Sequence, residues 1–400
     1  MNYILFDDKT WDNFLPLTFT RPVAEIRIGI LTIKEKWEKY FNQECSYYTQ
    51  DYLQKKYKAK YSDDNIFLNA SILPKEDLVS EIISLKVNCA LMKNDVLIAV
   101  RFSEKLSGDF MQVQDYVEEK KLSIVNCVSD FVKINYSWDI FSLNEQAIKS
   151  DFQLITNGRK SQPISKTNNV LGKENIFIEQ GAKIEFATIN AQTGFVYIGK
   201  DAEVMEGAVI RGPFVLCEHS VVKMSAKIYG PSTIGPHSKF GGEINNVVVF
   251  GYSNKAHDGF LGNAVIGEWC NIGADSNNSN LKNNYASVKL WDYKTKHFTD
   301  TGLQFCGLIM GDHSKCGINT MFNTGTIVGV SANIFGSGFQ RNFVPSFAWG
   351  GTRGFTVYRL NKVFEVVEKV MMRRNIKIND TDKAILSHIF NITEQYRNFK

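Results

Sequence analysis

IGKDAEVMEGAVIRGPFVLCEHSVVKMSAKIYGPSTIGPHSKF, residues 198–240, carries an apolar residue at every sixth position: Ile198, Val204, Ile210, Leu216, Val222, Ile228, Ile234 and Phe240. Four places after most of these anchors stands a small residue, Ala202, Ala208, Ser220, Ala226, Ser232 or Ser238, with Phe214 the exception. A period of six fits neither a helix nor simple strand alternation. It fits a left-handed parallel β-helix of hexapeptide repeats, in which each unit forms one side of a triangular coil. The anchor points inward and stacks on its equivalents, and the small residue lets the chain turn the corner. An ordinary all-β domain would have to produce this unbroken register by chance.

The same spacing extends outward. Ile176, Ile178 and Ile184 begin the coil, and a slip at Asn190–Phe195 precedes the regular run. After Phe240 the register loosens, then returns at Leu261, Ile266 and Ile272, and again at Met310, Cys316, Phe322, Val328 and Ile334. Between these last two groups, Ala286–Phe305 lacks the pattern and contains Lys289, Lys294, Lys296 and His297. It reads as a loop thrown out of the coil, either a binding surface or a passive solvated excursion. Beyond Trp349-Gly350-Gly351 two helical stripes follow, Val363, Val366, Val367, Val370 and Met371, then Ile385, Ile389 and Ile392. They are expected to cap the end of the coil, with partner binding as the alternative.

The first third differs in kind. Tyr3–Asp7, Ser46–Thr49, Ile66–Asn69 and Val96–Phe102 read as short strands alternating with helical segments such as Leu31–Tyr40. That alternation predicts an α/β domain with a largely parallel, Rossmann-like sheet. A helix over Trp138–Leu154 is expected to close it. The organisation expected is an α/β domain over 1–155, a linker over 156–175, the β-helix over 176–350 and helices over 351–400.

The totals of the chain are ordinary for a globular protein. In 400 residues, 44% are apolar, 22% are charged and the net charge is +4. No run of like charges stands out, so neither nucleic acid nor a membrane surface is an expected partner. No uncharged stretch approaches a membrane span, and Met1–Phe6 is too short for a signal peptide. The 7 cysteines are scattered without a C-x-x-C pair, which predicts reduced thiols and a cytoplasmic protein. Cys217 and Cys270 are expected to fill space inside the coil.

Two segments carry a resemblance. Leu15-Pro-Leu-Thr-Phe-Thr-Arg-Pro-Val-Ala-Glu-Ile-Arg27-Ile-Gly29 resembles the PLT…RPK segment of sugar-1-phosphate nucleotidyltransferases. In that family a glycine-rich loop cradles the triphosphate and an aspartate at a strand end holds magnesium. Here Phe6-Asp7-Asp8-Lys9-Thr10-Trp11 replaces the loop without a glycine, and Asn69, a weaker ligand for a hard cation, replaces the aspartate. Arg21, Arg27 and Lys36 are candidates to bind phosphate, the alternative being surface charges or salt bridges to Glu25 or Glu35. Magnesium, if any, is expected in this domain alone, and the sequence leaves open whether some other carboxylate, such as Asp7 or Asp8, would hold it.

The second segment, from His257 to Gly267, HDGFLGNAVIG followed by Asn271-Ile-Gly-Ala274, is similar to the acetyltransferase domain of the bifunctional N-acetylglucosamine-1-phosphate uridylyltransferase / glucosamine-1-phosphate acetyltransferase family. There the pattern is H-x-x-Y-L-G-D-A-x-I-G followed by N-I-G-A-G-T. The resemblance implies acetyl-CoA as acyl donor, His257 as general base, Ala274 near the thioester, and a homotrimer with its site between adjacent coils. An imidazole suits the task, because an amine must shed a proton as it attacks a thioester. Asn271 and Asn280 are expected at sugar hydroxyls or the acyl carbonyl, and Lys255 or Lys282 at a phosphate. Phe260 for tyrosine, Asn263 for aspartate, and Lys239-Phe240-Gly241-Gly242 for the family's arginine before Pro-Gly alter the acceptor pocket.

His219 and His237 lie three hexapeptides apart and should stack on one coil face. A zinc site needs at least three converging ligands, so no metal is expected in the coil. Three functions follow. The first is a CoA-dependent N-acyltransferase for an amino-sugar phosphate or nucleotide sugar with a nucleotidyltransferase-like domain, active or impaired. The second is a sugar-1-phosphate nucleotidyltransferase whose coil only assembles a trimer. The third is a non-catalytic sugar-nucleotide-binding protein. The absent glycine loop argues against the second, and the His257 motif argues against the third.

Overall fold

The computed structural model describes residues 1–106 and 110–399. The chain forms two compact units. The first comprises Met1–Phe14, Thr18–Ile26 and Leu31–Tyr136; the second begins at Ser137 and also takes in Leu15–Leu17 and Arg27–Ile30.

In the first unit, β1 (Asn2–Phe6), α1 (Ile33–Phe41), β2 (Cys45–Tyr48), α2 (Asp51–Gln54), β3 (Asn65–Asn69) and β4 (Ile72–Leu73) follow in order. They are succeeded by α3 (Glu76–Ser84), β5 (Cys89–Lys93), β6 (Val96–Phe102), α4 (Val113–Glu119), β7 (Ser123–Asn126) and β8 (Val132–Lys133). Local chemistry sets α1: Thr32 accepts from the Glu35 amide at 3.2 Å while Glu35 accepts from the Thr32 amide at 2.7 Å, a capping box that satisfies two end donors. The six-stranded sheet has the order β2-β1-β3-β6-β5-β7.

That sheet is mixed rather than largely parallel. β1 pairs in parallel with β2 and β3, and β5 with β7, but β6 runs antiparallel to both of its neighbours. The reason is a hairpin: Asn94 and Asp95 both take positive φ, 49° and 63°, the conformation of a tight turn between antiparallel strands.

In the second unit, α5 (Asp139–Ser142) and α6 (Asn144–Thr156) lead into the coil. The helix expected to close the N-terminal domain packs here, where Asn144 Nδ2 donates to the Pro231 carbonyl at 2.9 Å and to Thr233 Oγ1 at 3.1 Å. The coil then begins earlier than its anchors announce. Asn169–Leu171, within the expected linker, pairs in parallel with Thr188–Asn190.

All eight anchors from Ile198 to Phe240 are buried, as are Ala202, Ala208, Ser220, Ala226, Ser232 and Ser238. The corner serines form a ladder of their own. Ser220 Oγ donates to the Gly235 carbonyl at 2.7 Å and accepts from the Ser238 amide at 3.0 Å. Ser253 repeats this with the Gly267 carbonyl and the Cys270 amide. Small hydroxyls thus satisfy backbone groups at corners where no strand partner exists.

A second corner carries stacked rings on left-handed residues: His219 on His237 (4.8 Å), His237 on Tyr252 (4.9 Å) and Tyr252 on Trp269 (4.3 Å). The two histidines stack as their spacing requires. Cys270 lies within the coil core. Cys217 is buried as well, with Sγ 3.8 Å from the Ile30 carbonyl. The seven cysteines are free.

The excursion at Ala286–Phe305 contains a β-hairpin, Lys289–Asp292 against His297–Asp300, with Trp291 stacked on Phe343 at 4.4 Å. At the far end, α7 (Leu360–Met372) and α8 (Asp380–Ile392) bury Val363, Val367 and Met371, and Ile385, Leu386 and Ile389. Rather than crossing the end of the coil, α7 leads along its side: Arg374, just beyond it, donates to the His237 carbonyl at 2.9 Å. The end is instead closed by Gly354–Val357, which pairs antiparallel with Ala348–Gly351, and by Phe399 packed on the core. Among the described residues no helix is long and apolar enough to cross a membrane.

Candidate functional site

Two places gather polar side chains: the strand ends of the first unit and a corner of the coil. In the first unit the parallel register sets Phe6 beside Asn69, so Asp7, Asp8 and Asn69 meet where α/β sheets bind ligands. Asp7 is buried; its Oδ1 accepts from the Val23 amide at 2.8 Å and its Oδ2 from Thr49 Oγ1 at 2.5 Å. Burial raises its pKa to about 7, against the pull of those two hydrogen bonds.

Asp8 Oδ2 accepts from Asn69 Nδ2 at 2.9 Å and meets Lys133 Nζ at 3.1 Å. Burial alone would raise the Asp8 pKa, but the Lys133 charge and hydrogen bonds from Thr10 and Asn69 outweigh it and leave it lowered. Asn69 is fully engaged. Its Nδ2 also donates to the Leu97 carbonyl, and its Oδ1 accepts from the amide and the hydroxyl of Ser71. A cavity of about 150 Å³ opens beside this cluster, lined among others by Asp8, Lys9, Asn69, Gln112, Gln114 and Lys133.

The phosphate candidates fall elsewhere. Arg21, Arg27 and Lys36 are all buried, at 4%, 8% and 3% exposure, and none lines that cavity. Arg27 belongs to the second unit, where it donates to the carbonyls of Phe250 and Ile30. They are interior charges, not a surface for phosphate.

Asp7 yields a prediction of its own. A raised folded pKa means that stability present below pH 3.8 is lost as pH climbs through about 7. Asp7→Asn keeps the acceptor for Val23 and has no charge to bury. The variant is expected to gain stability over wild type progressively between pH 4 and 7, with a constant difference above (urea unfolding at pH 5 and pH 8 measures it).

On the coil, the register Phe240↔Lys255 and Asn254↔Asn271 brings successive rungs together. Two residues past the inward positions Phe240, Lys255, Ile272 and Cys316 stand Gly242, His257, Ala274 and Ile318, one below another at a corner. The His257 side chain is exposed there. Its turn is held on both sides: the Asp275 amide donates to the Asp258 carbonyl at 2.9 Å, and Lys255 Nζ donates to the His257 carbonyl at 2.8 Å. Gly259 has φ +111°, and a Cβ on it would lie 2.2 Å from the Ser276 carbonyl oxygen. Only glycine fits that step of the turn.

Lys255 is not a surface cation. It is 1% exposed, stands in the inward column next to Phe240, and gives a second hydrogen bond to the Gly241 carbonyl at 3.2 Å. Burial lowers its pKa to about 8, opposed by the charges of Asp258 and Asp275. Its place follows from rung length. Rungs of the regular run take 18 residues, as from Ser220 to Ser238, but the next takes 15, from Ser238 to Ser253. The shortening carries Lys255 onto an anchor position.

Asn271 is exposed on the next rung, and Ala274 is half-buried with its carbonyl accepting from the Asn319 amide at 2.8 Å. Phe260 packs over Gly262, near Asn280, whose Nδ2 donates to Asn263 Oδ1 at 2.7 Å. Two residues that sequence reasoning passed over organise this neighbourhood: Asn277 Oδ1 accepts from the Phe260 amide at 2.7 Å, and Asn278 Oδ1 from the Gly262 amide at 2.8 Å. The run Asn277-Asn278-Ser279-Asn280 was the available signal. Lys282 lies at the root of the hairpin, donating to the Ser287 carbonyl at 2.6 Å. A larger cavity, about 300 Å³, opens at the Asn190–Phe195 slip, and none of the candidate residues lines it.

Residues 3–160 match the family model of sugar nucleotidyl transferases. Over that stretch the chain is similar to sugar nucleotidyl transferases. Two curated relatives are also similar to the chain. The bifunctional protein GlmU of Trichodesmium erythraeum is 30% identical over 127 residues, 31% of this chain and 22% of that protein. GlmU of Methanococcus vannielii is 23% identical over 278 residues, 68% of this chain and 60% of that protein. The chain therefore spans less than two thirds of the length of these relatives.

Among solved structures, the Francisella novicida UDP-N-acetylglucosamine acyltransferase is 12% identical with a TM-score of 0.29, over 58% of this chain and 90% of that one. The Arabidopsis UDP-N-acetylglucosamine acyltransferase is 14% identical with a TM-score of 0.21, over 58% and 91%. The stretch that the family model matches runs past the first compact unit and includes α6.

Proposed function

We propose that this protein transfers an acyl group from a CoA thioester to the amino group of a sugar phosphate or nucleotide sugar, with His257 as general base. The observation that carries the reading is the His257 turn, an exposed imidazole on a backbone fixed by Lys255 and by the Asp258–Asp275 hydrogen bond. Fixing the backbone while leaving the ring accessible is what a proton acceptor for an incoming amine requires. The amine nitrogen bonds to the thioester carbon, its proton passes to the imidazole, and the carbon–sulfur bond breaks to expel a thiolate, which takes the proton back from the imidazolium and leaves as the thiol.

Below His257, Ala274 and the exposed Ile318 give an apolar strip against which the donor's alkyl arm would lie. Asn271 and Lys282 would face the acceptor. The GlmU relatives support pairing this coil with a nucleotidyl transferase domain. The same reading makes the protein a cytoplasmic homotrimer whose site is shared between neighbouring coils.

The test is release of CoA thiol from acetyl-CoA across a panel of amino-sugar phosphates and nucleotide sugars. Release that depends on one acceptor, from a protein of three times the chain mass in solution, is the expected result. No release with any acceptor from that trimer would overturn the proposal.

A further inference from the structure

A divalent cation held at the strand ends of a nucleotidyl transferase domain needs anionic oxygens free to turn toward it. Here both Asp7 oxygens are enclosed by Val23 and Thr49. Asp8 is taken by Lys133, Asn69 and Thr10, and the Asn69 carbonyl oxygen by Ser71. Among the described residues no group of three or more histidine, cysteine or carboxylate side chains is arranged to hold a metal ion. The donor set does not fit magnesium. What stands against Asp8 instead is a cation belonging to the chain.

An ammonium carries three protons. Lys133 directs its Nζ to Asp8 Oδ2 and to Asn135 Oδ1, each at 3.1 Å, which leaves one donor without a partner among the described residues, and the residue lines the 150 Å³ cavity. We infer that Lys133 stands in for the divalent cation, so that this cavity binds the phosphoryl group of a nucleotide or sugar phosphate without metal. The size agrees: cavities that enclose a whole drug-sized ligand measure about 300–1,000 Å³, so this one takes the phosphoryl end and leaves the rest outside. The charges agree with binding rather than transfer. Lys9 and Lys133 are balanced by Asp8 and Asp95 around the cavity, with amides from Gln112 and Gln114. One ammonium can hold a phosphate but brings half the charge that a magnesium ion would place on the reacting oxygens.

The experiment is calorimetric titration of the full chain with N-acetylglucosamine 1-phosphate, UTP and inorganic phosphate, each in magnesium chloride and in EDTA. UTP itself complexes magnesium, so the sugar phosphate arm decides the metal question. One of the organic ligands is expected to bind with affinity changing less than about twofold between the two buffers. Lys133→Met should weaken it about tenfold or more, the loss of a charge-assisted hydrogen bond, while Lys133→Arg retains most of it. His257→Ala should bind normally, which separates this result from the fate of the acyltransfer reading. Tighter binding by tenfold in magnesium, an unaffected Lys133→Met, or no binding in any arm would overturn the inference. Equal affinity for inorganic phosphate would show a free-anion site and overturn the assignment to nucleotide or sugar phosphate. Should Lys133→Met fail to fold, Lys133→Gln, which keeps hydrogen-bond donors and removes the charge, is read in its place with the same tenfold threshold.

Discussion

His257→Ala is expected to lower acyl transfer by about 10²–10⁴-fold, the usual contribution of a positioned acid–base group, with thermal unfolding unchanged. The second half of that expectation rests on geometry. The ring is exposed, and what anchors the turn is the residue's carbonyl, bound by Lys255, which alanine keeps. A loss of turnover with KM for the acceptor nearly unchanged would mark removal of a proton acceptor rather than of a binding contact. If the alanine variant kept more than about a tenth of the wild-type rate, another base would have to be sought.

Phe240→Ala is expected to cost about 3–5 kcal/mol of stability, the range for truncating a fully buried phenylalanine. Phe240 is 0% exposed, paired in register with Val222 on one rung and Lys255 on the next. Its neighbours cannot collapse into the space, because each is fixed by ladder hydrogen bonds to the rungs on either side. The vacancy would also adjoin the buried Lys255 ammonium, letting water reach it. Chemical denaturation reads the stability, and the same variant should lose acyl transfer by loosening the His257 turn. A cost below about 1 kcal/mol would show that the coil repacks more freely than its register implies.

Much of this was written in the residue spacing. Eight anchors at a constant interval leave one architecture, because inward stacking on every side of a triangular coil admits no other period. The His257 motif was legible in another way, through its resemblance to the acetyltransferase pattern over His257–Gly267. What escaped was whatever depends on a change of rung length or on distant partners. Lys255 reads as a phosphate ligand until a 15-residue rung turns it inward. Arg27, too, reads as a phosphate ligand, but its partners are Phe250 and Cys217, about two hundred positions away. Lys133 gave no signal, because the pairing of β4 with β8 is what brings it to Asp8. The mixed sheet was foreshadowed only by Asn94-Asp95, two polar residues whose left-handed turn sends β6 back alongside β5.

The hairpin at 289–300 bears on how such a molecule changes over generations. Ser276 and Thr320 meet on adjacent rungs although 44 positions separate them, and Ile272 and Cys316 keep their pairing across the interruption. The scaffold is thus indifferent to how much chain is spliced out at that corner. Lengthening, trimming or swapping the excursion leaves the stacked interior as it was. Under the proposed function, acceptor preference, to the extent that Lys282 and the hairpin root govern it, is then free to drift by insertion and deletion while the His257 turn above it keeps its backbone.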